Sequence, residues 1–145
     1  RIAYFWQLQD PGNAGTVIRT ADACGFDAVA FSPESVDIYS PKVVRSTAGS
    51  LWNIDIFEDV DMKLFNTGEF ADYAIYAFDG KSTSSLEDIS PDGKVITMFG
   101  NEARGLPDMS EITRVKNIRI PMHGGAESLN VASAASIAMF HLRQR

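Results

Sequence analysis

Cysteine is nearly absent from this chain: Cys24 is the only one in 145 residues. No internal disulfide can form, and a reducing, cytoplasmic setting is the expectation. With only two histidines beside that cysteine, a tetrahedral zinc site lacks ligands, so no metal is expected. No apolar run approaches the roughly 20 residues that cross a bilayer, so no membrane partner is expected. Positive charge is also scarce, with 13 Lys and Arg against 19 Asp and Glu for a net charge of −6. That balance excludes attraction of a polyanion by the molecule as a whole. Two nucleotide signatures are missing as well. No Gly-x-Gly-x-x-Gly opens an early βαβ unit, and no glycine-rich loop ends in Gly-Lys-Ser/Thr.

What is present is the composition of an ordinary globule, 45% hydrophobic and 22% charged, in a length that suits one domain spanning residues 1–145. The acidic residues crowd the middle: Asp55, Glu58, Asp59, Asp61, Glu69, Asp72, Asp79, Glu87, Asp88 and Asp92 share residues 55–92 with only Lys63 and Lys81. Short apolar runs alternate with helical patterns. Strands are predicted at residues 2–8, 28–31, 54–57, 73–78, 95–99 and 118–120. A helix over 15–24 follows from Val17, Ile18, Ala21 and Cys24 on one face, with Gly25 placed for a left-handed cap. Pro41 suits the first turn of a helix over 41–51, a weak helix is read around 62–67, and residues 80–93 read as a loop or short helix. Small residues dominate a last helix over 131–142. This alternation predicts an α/β fold with a mostly parallel sheet covered by helices on both faces, and ligands in such sheets bind beyond the carboxyl ends of the strands.

Three loops stand at those ends. Asp10-Pro11-Gly12-Asn13-Ala14-Gly15 precedes Arg19 on a helix whose other residues are largely apolar; taken alone, a turn with Asn13 as helix cap is the favoured reading of the loop, and a surface position the default for Arg19. Gly100-Asn101-Glu102-Ala103-Arg104-Gly105-Leu106-Pro107 follows the buried-strand candidate over 95–99. Its glycines allow close approach of a ligand to backbone, although Glu102 could simply cap a helix. Ile120-Pro121-Met122-His123-Gly124-Gly125-Ala126-Glu127-Ser128-Leu129-Asn130 leads into the last helix, with Asn130 placed to cap it.

Taken together and in order, Asn-x-Gly-x-x-x-Arg-Thr-Ala-Asp-Ala, Gly-Asn-Glu-x-x-Gly-Leu and Ile-Pro-Met-x-Gly-x-x-x-Ser-Leu-Asn-Val-Ala resemble the SpoU, or TrmH-like, branch of the SPOUT methyltransferases. The segment Lys42-Val43-Val44-Arg45-Ser46-Thr47-Ala48-Gly49-Ser50-Leu51 also resembles the family's sequence after the second strand. The resemblance implies a C-terminal trefoil knot (SPOUT fold) involving the Gly100 and Met122 loops, which no periodicity foretells. It implies S-adenosylmethionine as methyl donor, held near Ala77, Phe99, Gly100, Ile120, Met122, Ser128 and Leu129. The implied reaction is methylation of a ribose 2′-oxygen in transfer or ribosomal RNA. Arg19 would act on that oxygen, either as base or by stabilising the alkoxide with its charge. Asn13 and Glu102 would orient the arginine and the ribose, and Ser128 and Asn130 would complete the site.

The family is dimeric, so a homodimer through the final helix and the helix after Asn13 is implied. Arg19, Arg45 and Arg104 are the implied RNA contacts, within a local basic rim that also draws on Arg114, Lys116 and Arg119. A further N-terminal RNA-binding domain is expected upstream of Arg1. His123 lies outside the family pattern, and His141 and Cys24 read as packing residues. Two other readings stay open: a SPOUT-fold protein that binds RNA or cofactor without catalysis, and a flavodoxin-like nucleotide-binding module.

Overall fold

A computed structural model describes residues 1–90 and 92–143. Six strands, β1 (Ile2–Phe5), β2 (Ala28–Phe31), β3 (Asp55–Phe57), β4 (Ala74–Phe78), β5 (Val95–Phe99) and β6 (Val115–Ile118), form one sheet in the order β3-β2-β1-β5-β4-β6. Every pairing is parallel. β1 lies between β2 and β5, so the chain winds outward one way from β1 and then crosses to the other side. That reversal opens a crevice at the carboxyl ends of the central strands.

The strands that were read as near-continuous apolar runs are the central ones, and β2 and β5 are buried throughout. At their carboxyl ends Phe31, Phe5, Phe99 and Phe78 stack in sequence across four neighbouring strands, with centroid spacings of 5.7, 5.2 and 4.8 Å. β6 is displaced from expectation: residues 115–118 pair with β4, whereas 118–120 were predicted. The pattern there misled because Lys116 and Asn117 are exposed on an edge strand, where alternation decides nothing.

Both faces of the sheet are covered. One carries the three α-helices, α1 (Pro11–Ala23), α2 (Pro41–Ser46) and α3 (Val131–His141), whose buried residues join one core with Phe5, Phe31 and Phe99. The other is closed by 3-10 turns at Met62–Asn66 and Gly68–Phe70 and by Ile112, around Tyr4, Phe65 and Met98. Arg114 fastens that second layer, its guanidinium donating to the carbonyls of Phe65, Phe70, Ala71 and Tyr73 at 2.8–3.3 Å. It is therefore spent on the fold and does not belong to the basic rim expected of it.

α1 starts earlier than its periodicity suggests. Asp10, not Asn13, is the cap, accepting from the Asn13 amide at 2.8 Å with Pro11 in the first turn. Gly15 sits inside the helix because α2 presses on it: a Cβ there would lie 2.1 Å from the Ser46 Cβ. The predicted helix over 41–51 breaks at Ala48 and Gly49, both at positive φ, and resumes as a 3-10 turn at Ser50–Trp52. The small-residue face of α3 is consumed within the chain. Ala132, Ala135 and Ala138 are buried, and the Thr20 and Ser136 hydroxyls meet at 3.2 Å between α1 and α3.

Burial pushes two phenols upward, Tyr4 to about 12 and Tyr76 in the same direction. Tyr4 also donates to the Val60 carbonyl at 3.1 Å. The unfolded chain releases these protons near pH 10, so the stabilisation is intact below that pH. It is lost as pH rises through the folded values. Urea midpoints should therefore hold to about pH 10 and fall toward pH 12, and Tyr4→Phe should flatten part of that fall; a midpoint insensitive to pH over this range would contradict the assignment.

Candidate active site

Beyond the carboxyl ends of β4, β5 and β6 lies a cleft of about 410 Å³. Its apolar walls are Phe78, Phe99, Ile118, Ile120, Met122 and Leu129, while backbone is exposed at Gly80, Gly100 and Gly105. Gly100 is the tightest point. A Cβ there would lie 2.1 Å from the Gly105 carbonyl carbon and 2.2 Å from the Leu106 nitrogen. The turn after β5 folds back on the strand end because Asn101 and Gly105 exchange backbone hydrogen bonds of 3.0 and 2.8 Å, with Gly105 at φ +70°.

Asn101 holds that turn. Its side-chain oxygen accepts from the Ala103 and Arg104 amides at 3.0 and 3.1 Å, and its Nδ2 donates to the Gln7 carbonyl at 2.8 Å. It is buried. So secured, Glu102 is carried to the mouth of the cleft, where its carboxylate accepts from the backbone amides of Gln9 and Asp10 at 3.2–3.4 Å. It also accepts from Asn13 Nδ2 at 3.3 Å. Asn13 Oδ1 in turn accepts from Asn130 Nδ2 at 3.2 Å. The Asn130 side-chain oxygen caps α3 by accepting from the Ala132 and Ser133 amides at 2.8 and 3.3 Å. One hydrogen-bonded line thus joins three strand-end loops that are up to 117 residues apart.

Charge in the cleft has one sign. Asp79, Glu102 and Glu127 line it, and among the described residues no Lys, Arg or His does. Such walls suit a cationic ligand and repel a phosphate.

Of the residues the sequence pointed to, Phe99, Gly100, Ile120, Met122, Ser128 and Leu129 line the cleft. Ala77 does not, because successive side chains on a strand face opposite ways: Ala77 is buried in the second core, and Phe78 takes the cleft side. Asn13, Glu102 and Asn130 meet as described. Arg19 is exposed on α1 and lines no part of the cleft of its own chain. Arg45 is exposed on α2, and the Arg104 guanidinium lies 5.5 Å from the Trp6 ring centroid. His141 is a packing residue, its Nε2 3.0 Å from the Ile89 carbonyl, and His123 is exposed. Cys24 is half-buried where α1 ends, and burial pushes its thiol up, away from nucleophilic use.

Asn101, Asp10, Phe78 and Asp79 were missed. Asp10 was legible as an Asp-Pro helix start, and Asn101 as the residue in a strand-end glycine turn able to bond its own backbone. No group of His, Cys, Asp and Glu among the described residues could hold a metal ion, and no described helix is long and apolar enough to cross a membrane.

The family model described as "SpoU rRNA Methylase family" matches residues 1–140. The Bacillus subtilis 23S rRNA (guanosine(2553)-2′-O)-methyltransferase RlmP is 34% identical over 94% of this chain and 55% of its own length. The Streptomyces viridochromogenes 23S rRNA (uridine(2479)-2′-O)-methyltransferase is 31% identical over 93% of this chain and 50% of its own. An AdoMet-bound rRNA methyltransferase from Sinorhizobium meliloti superposes with a TM-score of 0.87 and 33% identity, over 97% of this chain and 54% of that one. The chain therefore spans about half the length of the curated relatives it matches. On the family match and on these two likenesses, in sequence and in fold, the chain belongs to the SpoU rRNA methylase family.

Proposed function

We propose that this chain is the catalytic part of an S-adenosylmethionine-dependent RNA methyltransferase acting on a ribose 2′-oxygen of ribosomal or transfer RNA. The observation that carries the reading is the cleft itself: apolar walls, open backbone at Gly100, and three carboxylates with no cation among the described residues. A donor that bears a sulfonium and an ammonium fits such walls. A flavin phosphate or a dinucleotide does not, which counts against a flavodoxin-like module. The volume lies within the roughly 300–1,000 Å³ of small-molecule sites. Phe99, Ile120, Met122 and Leu129 would hold the adenine side, backbone at Gly100 its polar edge, and Ser128 and Glu127 the amino-acid end.

When bound, the donor supplies a methyl group on an already activated leaving group. The protein's own work is to present the nucleophile. Asn13, Glu102 and Asn130 form a rigid polar mouth that orients the ribose, a positioning task in which small displacements are costly. Arg19 lies outside its own cleft, so a second copy of the chain supplies it, where its charge stabilises the developing alkoxide. Ile137 and Phe140 support that homodimer, since they remain 44% and 60% exposed on the outer side of α3. Three exposed basic residues, Arg19, Arg45 and Arg104, offer RNA contacts despite the net acidity. The trefoil knot is part of the same proposal. Its support is that residues 119–130 return from edge strand β6 to α3, which packs on α1 and β5, and on the way Arg119 pairs with Ser84 and Leu86 of the β4–β5 loop.

The test is calorimetric binding of S-adenosylmethionine together with transfer of labelled methyl to RNA. Arg19→Ala should bind the donor with unchanged affinity and transfer methyl roughly 100-fold more slowly. A folded Arg19→Ala protein with full transfer would remove Arg19 from the reaction, and a wild-type chain that binds no donor would end the proposal.

A further inference from the structure

Beside the polar mouth lies a second constellation, of which the methyl-transfer reading uses only Arg104, as one RNA contact among three. Gln7, Glu34 and Arg104 stand on the loops after β1, β2 and β5, and none of them lines the cleft. They adjoin Glu102 directly. Asn101 Nδ2 donates to the Gln7 carbonyl at 2.8 Å, and the Gln9 side chain donates to the carbonyls of Gln7 and Glu34 while the Gln9 amide donates to Glu102. Arg104 and Glu102 share the turn that the Asn101–Gly105 pair closes. Gln7 and Glu34 sit at φ +48° and +63°, in the left-handed region that favours glycine. Neither carries the short side chain that eases this conformation in asparagine, so the fold holds two long polar side chains against local preference. Strain of this kind gathers at recognition sites.

Their bonding is ordered. The Gln7 side-chain amide donates to Glu34 Oε2, and its oxygen accepts from Arg104 Nη2. The Gln7 backbone amide is fixed to the buried Ser32 hydroxyl at 2.7 Å. The half-buried Trp6 ring supports the Arg104 guanidinium by a cation–π contact. One amide thus spaces an acceptor from a donor. Both outer groups are exposed, and each keeps capacity unused by these bonds: Glu34 Oε1 on one side, further guanidinium N–H groups on the other.

We infer that Glu34 and Arg104, spaced by Gln7, read the base of the target nucleotide, and that this base is guanine. The inference rests on the methyl-transfer reading above, which brings a ribose to Glu102 and leaves its base next to this site. Guanine alone among the four bases presents two adjacent N–H donors, N1 and N2, beside a carbonyl acceptor, O6. The Glu34 carboxylate takes the two donors, Oε1 one and the remaining lone pair of Oε2 the other, and a guanidinium takes O6. Adenine and cytosine turn a ring-nitrogen lone pair toward the carboxylate. Uracil offers one N–H flanked by carbonyls, one of which would face the carboxylate. Single-stranded RNA bases are read at this edge.

The experiment supplies the full chain with labelled S-adenosylmethionine and total RNA from cells deleted for its gene, then digests the RNA to nucleosides. Labelled 2′-O-methylguanosine is the expected product. Glu34→Gln should lower kcat/KM for RNA by about 10-fold or more, with donor affinity and unfolding midpoint unchanged. Label in any other nucleoside overturns the guanine assignment while methyl transfer stands. Unchanged kcat/KM in Glu34→Gln, or a loss explained by weaker donor binding, also overturns it. Absence of label from every nucleoside would instead defeat the methyl-transfer reading on which it rests.

Discussion

Gly100→Ala is expected to abolish S-adenosylmethionine binding and to destabilise the chain by roughly 3 kcal/mol, the upper end of overpacking penalties. The added carbon would lie 2.1 Å from the Gly105 carbonyl carbon, 2.2 Å from the Leu106 nitrogen and 2.5 Å from the Gly105 oxygen. All three are backbone atoms, so no side chain can swing aside. Relief requires the whole turn to move, and that turn is tied by two backbone bonds and by the buried Asn101. Moving it displaces Glu102 from the Gln9 and Asp10 amides and shifts the wall of the cleft. Gly124→Ala is the control, since nothing lies within 4 Å of a Cβ there. Calorimetry and urea unfolding of both variants decide the matter. A Gly100→Ala protein that binds the donor as wild type does would show that this turn is not the cofactor's seat.

That turn also shows where sequence reading stops. The strands at the centre of the sheet were legible because burial on both faces favours apolar residues, as in Val95–Phe99, where Thr97 is the one polar side chain. The cap of α3 was legible in Asn130, whose side chain bonds the helix amides as its type prefers. The start of α1 was missed, although Asp10-Pro11 is a helix-start signal. Pro11, Gly12 and Gly15 look like a turn, and only tertiary contact explains Gly15, where Ser46 leaves no room for a side chain. The break in the predicted 41–51 helix has the same origin: Ala48 adopts a positive φ that no local pattern announces.

The site was legible as three motifs whose joint resemblance named a family, and the meeting of Asn13, Glu102 and Asn130 was inferred from that resemblance. Two things escaped it. Alternation along β4 turns Ala77 away from the cleft and brings Phe78 and Asp79 in. Arg19 carries the most distinctive position of the first motif, yet it is exposed and lines no part of its own chain's cleft.

The line joining Asn130, Asn13 and Glu102 makes a second large effect predictable. Asn13→Asp preserves size and leaves an oxygen to accept from Asn130, but it replaces the amide that donates to Glu102 at 3.3 Å by a second carboxylate. Asp10, the cap of the same helix, adds a third nearby. The helix itself tolerates the change, because an acidic residue in the first turn gains from the helix dipole about what repulsion removes, within ~1 kcal/mol. The mouth of the site does not, since one of the donors to Glu102 is gone, leaving the Gln9 and Asp10 amides, and the two carboxylates repel. Loss of one preorganised donor lowers kcat by about 100-fold in comparable sites, and that is the decrease expected here at pH 8, with donor binding retained. The introduced carboxylate should hold its proton more tightly than an ordinary aspartate, because a neighbour of like charge disfavours ionisation. Protonated, it restores a donor toward Glu102, so the defect should shrink as pH falls toward 5 and grow as pH rises. Asn13→Ala lacks that proton and should show no such recovery. A pH profile of kcat/KM for the two variants separates the outcomes: equal profiles, or an Asn13→Asp protein fully active at pH 8, would mean that Asn13 serves the fold and not the reaction.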